Sequence, residues 1–122
     1  MKQILTLLIV FLLTSCSIDS SITVTIENNS DKEITGNFYV VKDSILDNIS
    51  ISPKTKKEFI IENDTIYGSM KKQDYSEGNL VFTTNDNTKY IVCGYIDVID
   101  VCAKKSFYMT IKEDMSYDVE HK

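Results

Sequence analysis

Past an apolar opening, the chain alternates. Ile22, Val24 and Ile26 sit between Thr23, Thr25 and Glu27, and a period of two puts the two sets on opposite faces of a strand. Asn28-Asn29-Ser30-Asp31-Lys32 ends the pattern with residues whose side chains bond nearby backbone groups and favour turns. A second strand is expected from about Glu33 to Lys42, with Ile34, Phe38 and Val40 on one face. Gly36 interrupts it, which points to a bulge or a close backbone approach. Residues 43 to 52 mix Ile45, Leu46, Ile49 and Ile51 with Asp, Asn and Ser, a loop or a single helical turn leading into a short strand. Pro53 to Lys56 reads as a turn.

Strand patterns resume over Lys57 to Glu62 (Phe59 and Ile61 inward), Thr65 to Met70, and Asn79 to Thr84 (Leu80 and Phe82 inward). Asn63-Asp64 and Asn85-Asp86-Asn87 separate them. Lys89 to Ile96 is rich in aromatic and β-branched residues. Phe107, Met109 and Ile111 alternate with Tyr108 and Thr110, and Met115 to Val119 forms a final strand. The pattern predicts seven or eight short strands, no long amphipathic helix and no internal repeat. That is a small antiparallel β-sandwich, all-β, of transthyretin-like or immunoglobulin-like kind, with modest stability expected from its size.

The first residues carry a different signal. Lys2 precedes an uncharged run from Ile4 to Leu13, short of the roughly 20 residues a membrane-spanning helix needs. A basic start, an apolar core and small residues before a cut are the layout of a secretory signal. Leu13-Thr14-Ser15-Cys16 resembles the bacterial lipobox, with an ordinary signal peptide and a chance Cys as the alternative. The resemblance implies removal of residues 1–15 and lipid attachment at Cys16. Several acyl chains on one residue make a durable anchor, where one chain binds only marginally. Ser17 stands where an Asp would imply retention at the inner membrane, so the outer membrane is expected. Residues 16–21 then form a tether and residues 22–122 one sandwich domain.

Charge narrows the partners. Of 13 basic and 18 acidic residues, only Lys2 falls in the signal, and no basic patch suggests nucleic acid. Lys54, Lys56 and Lys57, Lys71-Lys72 and Lys104-Lys105 read as solvated loops or protected strand edges. Cys93 and Cys102 flank Asp97-Val98-Ile99-Asp100. In an oxidising compartment such a pair reads as a disulfide, contributing about 2–3 kcal/mol if the geometry allows, with two buried thiols as the alternative. Asp-Val is not a favoured two-residue hairpin turn, so the loop between them would be wider.

Catalytic chemistry is hard to assemble. A single His at position 121 cannot organise a triad or a zinc site. Asp97 and Asp100 are too few oxygens for Ca²⁺, and no glycine-rich phosphate loop is present. Neither an enzyme nor a bound cofactor, metal or small-molecule substrate is expected.

Two longer stretches carry a family resemblance. ITVTIENNSDKEITGNFYVVKD, residues 22–43, resembles the opening of the outer-membrane lipoprotein of type VI secretion systems, the TssJ family. There, an alternating strand soon after the lipidated Cys leads through an Asn-containing polar loop to a Gly and a second strand. TKYIVCGYIDVIDVCAKKSFYMTIKEDMSYDVEH, residues 88–121, resembles that family's closing strands and acidic turn. Small size and Ile/Lys/Asn-rich composition suit its divergent Francisella-type form, while the Cys pair and a shorter middle region depart from the broad pattern. The resemblance implies a transthyretin-like sandwich that ties a secretion complex to the outer membrane. It would do so by gripping the periplasmic domain of a TssM-like inner-membrane subunit. The positions matching the family's gripping loop are Asn29, Ser30, Asp31, Lys32 and Glu33. From residue chemistry alone, an inert solvated turn remains open for that loop. A lipoprotein inhibitor or immunity protein acting on a hydrolase remains open for the chain.

Overall fold

The computed structural model describes residues 21–96 and 105–121. Eight strands are present: β1 (Ser21–Asn28), β2 (Ile34–Val40), β3 (Asp43–Ile51), β4 (Thr55–Glu62), β5 (Glu77–Thr84), β6 (Lys89–Ile96), β7 (Lys105–Ile111) and β8 (Tyr117–His121). One helix, α1 (Asn63–Lys72), lies between β4 and β5. The strands form two four-stranded sheets, ordered β4-β1-β7-β8 and β3-β2-β5-β6. This is the small β-sandwich expected from the alternation.

The inward residues are those the period of two selects. Ile22, Val24 and Ile26 of β1, Ile34, Phe38 and Val40 of β2, Leu80 and Phe82 of β5, and Met109 and Ile111 of β7 are all buried. Aromatic rings tie the sheets together across this core. Phe38 meets Phe59 edge-on at 5.4 Å and Phe82 at 5.3 Å. Phe82 stacks on Tyr90, and Tyr90 meets Tyr117 edge-on at 5.0 Å. Edge-to-face pairs at such separations add to the burial of the rings themselves.

Not every pair of neighbours is antiparallel: β1 and β7 run parallel. The chain reverses at successive strands, so odd-numbered strands run one way and even-numbered strands the other. β1 and β7 are the one neighbouring pair of equal parity in the sheet order, and their pairing must be parallel. The same alternation sorts the connections to two ends. Residues 29–33, 52–54, 85–88 and 112–116 sit at the end where β1 finishes, the far end. The Val41-Lys42 turn, α1 and residues 73–76 sit at the near end, where Ser21 pairs with Glu62.

Two segments differ from expectation. Residues 63–72 form a helix, where a turn at Asn63-Asp64 and a strand over Thr65–Met70 were expected. Ile66 and Met70 lie four residues apart, one helical turn, and both are buried. Burying them on one face outweighs the strand preference of Thr65, Ile66 and Tyr67. Residues 43–51 are one full strand, where a loop or a single helical turn leading into a short strand was expected. Asn48 takes a left-handed conformation (φ 59°) within it, and the pairing with β2 shifts register between Gly36 and Tyr39. This irregularity hides the period of two. It also locates the role of Gly36, where a Cβ would lie 2.3 Å from the backbone oxygen of Thr83. Close approach of β5 leaves room there for hydrogen only.

Candidate functional site

The 29–33 loop is built on a buried amide. Asn28 ends β1 with its side chain fully buried. Its Nδ2 donates to the carbonyl oxygens of Lys32 (2.7 Å), Ile51 (3.1 Å) and Ser52 (3.3 Å). Its Oδ1 accepts from the Ser30 amide (3.0 Å) and the Ser30 hydroxyl (2.6 Å). Backbone carbonyls only accept, so the amide has one possible orientation. Two N–H hydrogens serve three acceptors, and one is shared. Ser30 completes the loop: its one hydroxyl hydrogen goes to Asn28 Oδ1, with the Lys32 oxygen a longer second acceptor (3.1 Å), and the hydroxyl oxygen accepts from the Lys32 amide (3.2 Å).

A lysine ties the neighbouring loops to this one. Lys54 adopts a left-handed backbone conformation in the β3–β4 turn. Its Nζ donates to the Asn29 oxygen (2.6 Å) and to Glu113 (2.9 Å), with Asp31 at 3.7 Å. The hydrogen bond to Glu113 is the main reason the ammonium's pKa lies above the usual lysine value. The Asn29 amide donates to the Ile111 oxygen (2.8 Å), joining the β1–β2 loop to the end of β7. Three loops therefore hold one shape. The fourth, 85–88, is fastened by Asn85, which donates from its amide and side chain to Thr35.

Two aspartates at this end are held below the usual carboxylate range. Asp114 accepts from the Ser116 hydroxyl and amide, and Asp86 from Thr84 and Thr88. Hydrogen bonds to an ionised carboxylate favour the charged form.

The predicted loop residues are thus divided. Ser30 is buried and holds the loop's shape, while Asn29 is half-buried with its carbonyl engaged by Lys54. Asp31, Lys32 and Glu33 are exposed. A partner meeting this loop touches the last three. Asn28 and Lys54 escaped sequence reasoning, the first because it reads as a turn residue, the second because it reads as a solvated cation. Cys93 lies on β6 opposite Leu80, half-buried against the core. Cys16 and Cys102 lie outside the described residues, and so does the pairing of Cys93 with Cys102.

No family model matches this sequence, and no curated protein matches it. The chain is similar to the NMR structure of a protein from Eubacterium rectale, with 10% identity over 83% of this chain and 87% of that one. The TM-score is 0.36. A likeness at that level carries nothing about function. Among the described residues, no three His, Cys, Asp or Glu side chains gather to hold a metal ion. Among them, too, no helix is long and apolar enough to cross a membrane.

The far end presents charged side chains of both signs on a loop braced by the hydrogen bonds of Asn28, Ser30 and Lys54. Such a surface loses little conformational freedom on meeting a partner.

Proposed function

We propose that this chain is an outer-membrane lipoprotein, anchored through lipid on Cys16, that tethers a type VI secretion membrane complex. It would bind the periplasmic domain of a TssM-like inner-membrane subunit and catalyse nothing. The observation that carries this reading is positional. β1 begins at Ser21, five residues after Cys16, and ends at the loop of Asn29 to Glu33. An eight-residue strand is about 25 Å long, so Ser21, the described residue nearest in sequence to Cys16, and the loop stand at opposite ends of the strand. A lipid at Cys16 leaves that loop facing away from the bilayer, toward a protein arriving across the periplasm. The strand order β4-β1-β7-β8 and β3-β2-β5-β6 is compatible with the transthyretin-like sandwich the resemblance implies.

The test is an affinity capture from native membranes using the lipidated, C-terminally tagged protein, with partners identified by mass spectrometry. A large inner-membrane protein with a periplasmic domain is expected, and the double variant Lys32→Glu/Glu33→Lys should lose it while melting like the parent. Both side chains are exposed, so the fold should not notice the exchange. Capture of a soluble hydrolase instead would replace the tether with the inhibitor reading.

A further inference from the structure

We infer that the near end of the sandwich is a membrane-resting face that lies on phospholipid headgroups. The inference rests on lipid anchoring at Cys16 in the function proposed above. Five residue steps separate Cys16 from Ser21, and an extended chain covers at most about 3.6 Å per step. The near end is therefore held within about 18 Å of the bilayer, whatever path the tether takes.

What the domain presents there suits an interface. α1 buries Asn63, Ile66, Ser69 and Met70 against the sandwich. Flanking that buried face, Tyr67 is 46% exposed, with Lys71 exposed four residues on. Tyr75, 43% exposed, follows the helix, and Lys42 stands on the adjacent turn. Exposed tyrosine is at home at headgroup depth, with its ring against the acyl boundary and its hydroxyl in water. The far-end loops expose no comparably large apolar side chain among the described residues.

These groups are presented as one piece. The Lys42 amide donates to Gln73 Oε1 (3.0 Å), and Gln73 Nε2 donates to the Val40 oxygen (2.9 Å). The turn cannot move without the end of the helix. Glu62, Asp64, Asp74 and Glu77 share this end, so the face is not a basic patch, and the tyrosines rather than net charge set the contact. Such contact is weak alone. The tether makes it intramolecular, and an effective concentration set by so short a linker is high.

The chain has no Trp, so a single introduced indole is an unambiguous reporter. Full-length lipidated protein carrying Tyr67→Trp, Tyr75→Trp or, as a far-end control, Lys32→Trp would be reconstituted into phosphatidylethanolamine/phosphatidylglycerol vesicles with brominated acyl chains. Co-flotation reads the anchor, and emission reads the face. The expected result is a blue shift and loss of most emission for Tyr67→Trp and Tyr75→Trp, with Lys32→Trp unchanged. Floated protein in which both near-end reporters keep their emission would overturn the resting face and leave the anchor standing. Protein that fails to float would overturn the anchor, and the resting face with it.

Discussion

At the far end, Asn28 and Ser30 hold the first loop through hydrogen bonds, and Lys54 draws two more loops to it. At the near end, Ile66 and Met70 hold a helix by burying apolar surface, and one amide, Gln73, clamps the adjoining turn. The two solutions respond differently to change. A polar network fails when one donor becomes an acceptor, because every group facing it is left unsatisfied. An apolar contact fails in proportion to the volume removed.

The sharpest way to break the far end is Asn28→Asp. It keeps the shape of the side chain and aims a carboxylate oxygen at the three carbonyls that Nδ2 now serves. About 4 kcal/mol of stability should be lost in urea unfolding. A loss under about 1 kcal/mol would show that the network does not organise the loop.

At the near end, Met70→Ala should cost about 3 kcal/mol, within the usual range for truncating a buried Met. Because α1 packs at the edge of the domain, amide exchange should quicken first in residues 63–72. Uniform acceleration across both sheets would mean that the helix is not a separable unit.

The smallest effect concerns pH. Asp86 and Asp114 are held below the usual aspartate value of 3.8 by hydrogen bonds at the far end. Depressed carboxylate pKa values stabilise the fold above the unfolded value, and that contribution is lost as pH falls through the folded ones. Below about pH 4, the amides of Thr88 and Ser116, which donate to these carboxylates, should shift in NMR spectra before the core responds. Amides that stay unmoved until global unfolding would remove the aspartates from the account of this end.

How legible each region was follows from the same contrast. β1 was plain because three inward aliphatics alternate with three polar residues. α1 was hidden because Thr65, Ile66 and Tyr67 favour strands and its start has no side-chain cap, Glu62 making no capping hydrogen bond. The β2–β3 turn was hidden as well. Val41 takes φ 57° there, a conformation that a β-branched residue seldom adopts, and no Gly or Asn announces it. The Gln73 clamp that accompanies it comes from 31 residues away. The candidate loop was legible as a turn, but not the division between Ser30, which faces inward, and Asp31 to Glu33, which face out. That division depends on where Ile51 and Ser52 return to meet Asn28, which no local pattern contains.

The position of β1 also decides how the domain would carry load. A pull applied between Ser21 and the loop after Asn28 acts along this strand, which is paired with β4 over eight residues and with β7 over seven. Force in that direction loads both ladders in shear, so their bonds resist together instead of opening one after another as in peeling. The strand that links the two ends is clasped on both sides, which makes it the domain's tension member.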